Sequence, residues 1–200
     1  MINQNFVYLG VLLQFVGGVG YLIDTVQGKA KPNRVSWILW SAAPLIAFYA
    51  QIRQGVGVEA FATFIVGFTP LLIFIASFTN KKAVWRISTL DIVCGFCSLI
   101  GLLLWFLTKS GNIAILFSIF ADGFACIPTM VKSWYAPETE SDSIFLMGVV
   151  NAAIGLLVIK NWHFANCAFL IYLFFADFIL VLLVRFKIGH LFVKQTTSKR

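Results

Sequence analysis

Gly20-Tyr21-Leu22-Ile23-Asp24-Thr25-Val26-Gln27-Gly28-Lys29-Ala30-Lys31-Pro32-Asn33-Arg34-Val35-Ser36-Trp37 is a polar, basic turn between two long apolar runs. A second stretch has the same design: Pro128-Thr129-Met130-Val131-Lys132-Ser133-Trp134-Tyr135-Ala136-Pro137-Glu138-Thr139-Glu140-Ser141-Asp142-Ser143. Each reads as a helix exit, a loop containing Lys, Pro and Ser, and a helix entry. Self-similarity at a fixed spacing signals a duplicated architecture.

The composition around these stretches names the solvent. Of 200 residues, 60% are hydrophobic and 12% charged, and mean hydropathy is +0.91. Soluble domains carry about a quarter charged residues and are less than half apolar. So much apolar surface suits lipid, and the 21 Phe and 6 Trp suit a protein with interfacial aromatics. The formal charge is +7. Because the Lys and Arg fall between apolar runs or in the tail, membrane topology explains that charge better than nucleic-acid binding.

Seven runs approach the length needed to cross a hydrocarbon core of ~30 Å. They are Phe6 to Ile23, Val35 to Ile52, Ala60 to Phe78, Ile87 to Leu107, Ile113 to Val131, Ile144 to Ile159 and Phe164 to Val184. The first has no basic segment before it and no small-residue cleavage site after it, so it reads as a retained helix. With the N-terminus outside, 12 Lys and Arg fall on the cytoplasmic side and three outside, Arg53, Lys109 and Lys160. The positive-inside rule therefore puts the N-terminus out and the C-terminus in the cytoplasm, with both opening stretches on the cytoplasmic side.

Three helices, a single linking helix and three more make two parallel repeats about an axis along the membrane normal. The division is 1–80 for the first unit, 81–110 for the linker, 111–188 for the second unit and 189–200 for a cytoplasmic tail. The expected fold is all-α: a polytopic membrane protein with seven transmembrane helices.

On these residues the chain resembles the PQ-loop superfamily, whose three-plus-one-plus-three members include the SWEET sugar transporters. The second unit keeps Pro128 with Thr129 in place of Gln, followed by Lys132 and Ser133; the first has Gly20-Tyr21 in that place, followed by Lys29, Lys31 and Ser36. The segment Lys31-Pro32-Asn33-Arg34-Val35-Ser36-Trp37 also resembles a small group of prokaryotic membrane proteins of no known activity. The superfamily resemblance implies alternating access, with Pro128 and the matching Gly20 as hinges. SWEET-like transporters hold sugar with an Asn on the third helix of each repeat; near those places this chain has Thr63 in the first repeat and Ala168, with Asn166 close by, in the second. Pro44 and Pro70 are further bend candidates, since proline removes a helical hydrogen bond; tilting for packing explains them equally well.

Ionisable groups inside a membrane are costly, so each is a functional candidate. Asp122 and Asp177 lie well inside predicted helices. Loop alignment sets Gln14 opposite Asp122 and Pro70 opposite Asp177. The acids can carry protons or bind a cationic or polyhydroxyl solute, or they can be hydrogen-bonded and structural. Gln14, Ser41, Thr63, Thr69, Asn151, Asn166 and Trp40 are candidates to complete a cavity. Trp37 and Trp40 both read as interfacial anchors, with stacking against a sugar ring as a second role for Trp40. Asp91 and Glu59 lie near helix starts, where a carboxylate sits well beside the positive helix end.

Cys94-Gly95-Phe96-Cys97 has a redox-motif spacing but lies in an apolar helix, where packing is the better reading. No phosphate loop, His-Glu-x-x-His or nucleophile elbow occurs. The expectation is a non-enzymatic transporter of a small polar solute, possible proton coupling included, in a prokaryotic cell membrane. It needs no metal or cofactor; its partners are the solute and the lipid bilayer. A receptor or assembly subunit on the same scaffold is the alternative.

Overall fold

Large apolar side chains cover the outside, while the inside holds an apolar core around Tyr21, Trp37, Ile73, Phe145 and Leu180 together with many buried polar groups. Phe96, Ile92 and Leu103 on one helix are 64%, 63% and 56% exposed, while Gln14, Ser36, Thr69, Asp91, Thr129, Lys132 and Glu140 are all buried. The computed structural model describes residues 2–3, 5–53, 60–82, 85–108, 111–159 and 162–191. It is all-α: α1 (Phe6–Val26), α2 (Arg34–Arg53), α3 (Ala60–Ala76), α4 (Thr89–Leu107), α5 (Gly111–Tyr135), α6 (Ser143–Val158) and α7 (Phe164–Val184), with a short 3-10 turn at Pro137–Thr139. No strand occurs among the described residues.

Four helical segments are long and apolar enough to cross a membrane: Phe6–Val26, Thr89–Leu107, Ile115–Tyr135 and Cys167–Val184. The apolar segments Phe64–Ala76 and Ser143–Val158 are shorter. Helix α7 has the bounds expected from sequence, but α5 continues past the expected end at Val131. The polar pair Lys132-Ser133 suggested an exit there. Both side chains are instead buried, so the chain gains by keeping its helical hydrogen bonds.

Helix α3 packs against α1 and α2, and α7 packs against α5 and α6. Among the described residues the backbones of α1 and α2 do not run alongside one another, nor do those of α5 and α6. The two groups of three join through α1 with α6 and α2 with α5, while α4 lies on α5 and α2.

The loops after α1, α3 and α5 meet at one end of the bundle, the basic end. Gly28 closes α1 there, with φ of +75°, a backbone region that suits glycine. Lys132 near the end of α5 is buried beside Glu140, with Nζ 2.6 Å from Oε1 and side-chain exposures of 1% and 0%. Its ammonium also donates to the carbonyls of Lys31 and Thr139, which uses all three of its protons. Tyr21 on α1 donates its hydroxyl to the other carboxylate oxygen of Glu140. Ser141 donates to Asp24 at 2.7 Å and Ser143 to the Gly17 carbonyl at 2.9 Å. Thus α5 holds the α1–α2 loop, and α1 holds the α5–α6 loop.

The rest of the opening stretch is equally committed. The Asn33 Oδ1 caps α2 by accepting from the Val35 amide at 3.1 Å, and its Nδ2 donates to Asp91 at 2.5 Å. Asp91 also closes a capping box with Ser88 at the start of α4, which bears out its reading as a helix-start acid. Arg34 donates to the Ser77 carbonyl at 2.7 Å and its guanidinium lies 3.9 Å from the Phe78 ring centre, tying α2 to the end of α3. Thr129 donates to Ser36 at 3.0 Å across the α5–α2 contact. The sequence places Lys132 in a loop after a helix ending at Val131; it lies instead within α5, buried against Glu140.

Two stability outcomes follow from these bonds. Lys132→Met strands the buried Glu140 carboxylate and should lower unfolding stability in detergent by about 3–5 kcal/mol, whereas Lys132→Met with Glu140→Leu should recover most of that loss. Asn33→Ala removes both a helix cap and the Asp91 bond and should cost about 2–3 kcal/mol. Equilibrium unfolding of the purified variants checks both.

Candidate functional site

A cavity of about 80 Å³ lies between the two groups of three helices. That is room for a few water molecules or a very small solute. Helix α1 contributes Gln14; α2 contributes Trp37, Trp40 and Pro44; α3 contributes Val66 and Pro70. From the other group come Asp122 and Cys126 on α5, Phe145, Gly148 and Asn151 on α6, and Phe169, Leu173 and Asp177 on α7. No Lys, Arg or His lines it among the described residues.

The local sequence explains how these groups reach one space. On α7, Phe169, Leu173, Ala176 and Leu180 recur at helical spacing and present one face inward, with Asp177 beside them. Gly148 lets α6 approach that face: a Cβ at Gly148 would lie 2.8 Å from the Asp177 carboxyl carbon. Only a residue without a side chain leaves the carboxyl its place. Pro44 and Pro70 withhold the amides that would otherwise bond the carbonyls of Trp40 and Val66, two residues that themselves line the cavity.

Asp122 accepts a hydrogen bond from the Tyr172 hydroxyl at 2.6 Å. The Gln14 Oε1 and the Trp37 Nε1 are buried without a hydrogen-bond partner among the described residues. A buried polar atom left unmet is costly. The aromatic wall is continuous. Trp37 and Trp40 meet edge to face with ring centres 5.3 Å apart, and Phe145 lies 6.3 Å from Trp40. Behind Trp37, at 4.5 Å, stands Tyr21, the residue whose hydroxyl binds Glu140. The cavity wall and the buried ion pair are therefore one side chain apart.

Of the residues singled out from sequence, Asp122, Asp177, Gln14, Asn151, Trp40, Pro44 and Pro70 all come together on this cavity, whereas Ser41 and Thr69 are buried away from its lining. The side chains of Thr63 and Asn166 lie outside the described residues, as does Glu59. Pro128 is buried within α5, away from the cavity lining. Gly20 faces α6, where a Cβ would meet the Ser143 hydroxyl at 3.0 Å, so close packing there is sufficient reason for a glycine. Trp37, expected as an interfacial anchor, is 1% exposed; its indole forms part of the wall, which corrects that reading. Sequence reasoning missed Tyr172, Phe145 and Phe169. A polar hydroxyl five residues before Asp177 in an otherwise apolar helix was the available signal for Tyr172. Phe145 and Phe169 carry no signal that separates them from the other 19 Phe of a Phe-rich chain. Comparison with known proteins finds no match among family models, curated proteins or solved structures.

Proposed function

We propose that the chain is an integral membrane protein whose two three-helix units, joined by α4, move a small polar solute by alternating access to the cavity between them. The observation that carries this reading is the pairing of the cavity's residues. Gln14 and Asp122, Trp37 and Phe145, Trp40 and Gly148, and Pro44 and Ala152 all line it, and the members of each pair are 108 residues apart. Val66 and Leu173, and Pro70 and Asp177, are 107 apart. Gly20 and Pro128, the two hinge candidates, have the same separation of 108. A site built from equivalent positions of two units is what a parallel-repeat transporter requires.

The helix contacts support the same reading. Exchanging α1, α2 and α3 for α5, α6 and α7 turns the α1–α6 contact into the α5–α2 contact, and both occur. In each group the third helix packs against the other two. This arrangement fits the PQ-loop resemblance, with units at 1–80 and 111–188 and α4 in the linker. The apolar exterior and four long apolar helices support a membrane location, and the distribution of basic residues favours the basic end as cytoplasmic. Asp122 and Asp177 are the groups able to carry a proton with the solute. No catalytic role is assigned to them.

A second reading has its own support. The buried bonds at the basic end fasten three loops, which suits a rigid receptor or assembly subunit. Thiol labelling separates the two. With Cys94, Cys97, Cys126 and Cys167 changed to Ala, Ala152→Cys places one thiol on the cavity. A transporter should let a membrane-impermeant maleimide reach it from either face of oriented vesicles, slowly from the basic end. Adding Lys132→Met should speed labelling from the basic end about tenfold, the effect of a bias of about 1.4 kcal/mol between states. Labelling from a single face at one rate, with and without Lys132→Met, would leave the rigid scaffold as the reading.

A further inference from the structure

We propose that the cavity binds a small primary ammonium ion, held by Asp122, Asp177 and Gln14 against the aromatic wall. This deepens the reading of the cavity as a solute site and rests on it, but it does not depend on the solute being moved.

The cavity brings two carboxyls together, those of Asp122 and Asp177, with no Lys, Arg or His among the described residues of its lining to pair with them. The Gln14 Oε1 is an orphan acceptor on a residue only 8% exposed. Asn151 adds another amide to the lining. On the donor side, the Tyr172 hydroxyl is already spent on Asp122, and the amides of Gln14 and Asn151 each add an NH2 beside their oxygen. An ammonium group has three donors and no acceptor, so it meets the carboxyls directly. Bonds from an ammonium to carboxylates are the charge-assisted kind and the strongest available. An anion would find two carboxyls and no cation to receive it.

The wall fits the same class. Trp40, Phe145 and Phe169 line the space, and aromatic faces attract a cation within about 6 Å, more strongly where water is excluded. They equally accept a short alkyl chain. Size sets the limit. A cavity of about 150 Å³ holds benzene, with six heavy atoms; about 80 Å³ therefore suits roughly three or four. Propylammonium has four. At the ceiling for very small ligands its Kd would be no tighter than roughly tens of μM, so millimolar concentrations are needed.

The test uses the full chain purified in detergent, with 20 mM propylammonium chloride as the probe. Sodium chloride, 1-propanol and sodium propionate serve as equal-concentration comparisons; 1-propanol matches the probe's shape without its charge, and propionate carries a short alkyl chain with the opposite charge. Propylammonium should raise the unfolding midpoint by a few degrees, by preferential binding to the folded state, and the three comparisons should leave it within about one degree. Asp177→Asn and Gln14→Ala should each remove most of the shift. The isostere comparison is made on the unaltered protein, so it stands even if a variant does not fold.

An equal shift from 1-propanol would show an apolar pocket and overturn the proposal. An equal shift from sodium chloride would show a general cation effect and overturn it also. Retention of the full shift in a folded Asp177→Asn protein removes that carboxyl from the site and overturns the three-residue arrangement around the ammonium. The labelling experiment at position 152 keeps the two ideas apart. Ammonium binding with labelling from one face only rejects transport and keeps the ligand class. Labelling from both faces without ammonium binding rejects the ligand class alone.

Discussion

A buried ammonium beside a buried carboxylate is the constraint on which the basic end depends. Lys132 and Glu140 lie where no water reaches them, and removing two such charges from water costs several kcal/mol each. That cost is offset only if every proton and lone pair finds a partner. Three acceptors from two loops surround the Lys132 ammonium, and Tyr21 completes Glu140. Each partner belongs to a different part of the chain, so the end of α5, the α1–α2 loop, the α5–α6 loop and α1 must all be in place together. The exposed pair of Arg185 with Asp142 has a similar separation of 2.7 Å but side-chain exposures of 56% and 29%. A pair in water contributes about 0–1 kcal/mol. Distance alone does not distinguish the two pairs; burial and the dependence of other groups on the bond do.

From that pair the constraint passes to the cavity through one residue. Tyr21 bonds Glu140 at its hydroxyl and packs on Trp37 at its ring. Trp37 in turn meets Trp40 and Phe145, and these three form the wall. Large rigid rings in contact at 4.5–6.4 Å cannot shift singly, because close-packed interiors change by whole rearrangements. A change at the ion pair therefore has a physical route to the wall, through groups with few alternative rotamers.

The elements were legible in the sequence because lipid-scale apolar runs interrupted by short polar turns leave few choices. All seven runs became helices, and the bounds of α7 were read to the residue. The cavity residues Asp122, Asp177 and Gln14 were legible because a polar group in an apolar helix is conspicuous. Lys132 was misread because sequence shows its charge and its place after an apolar run, but not that Glu140, eight residues on, folds back beneath it. Trp37 was misread for a related reason: an aromatic at a helix start looks the same whether it faces lipid headgroups or the partner helix. Depth in a bundle depends on which helix crosses which, and Tyr21, Trp37 and Phe145 meet only because α1, α2 and α6 converge.

If the two groups of three helices are the repeated units proposed above, their unequal chemistry has a physical reason. At the positions of Asp122 and Asp177 the first unit carries Gln14 and Pro70. Had both units kept acids, four carboxyls would share a space of about 80 Å³, and like charges that close cannot all ionise. An amide at Gln14 keeps the acceptor and drops the charge. Proline at position 70 drops the side-chain acceptor, and it takes away the helical amide partner of the Val66 carbonyl, at a residue that lines the cavity. On that reading the bundle keeps acceptors on both sides of its centre and confines formal charge to one side.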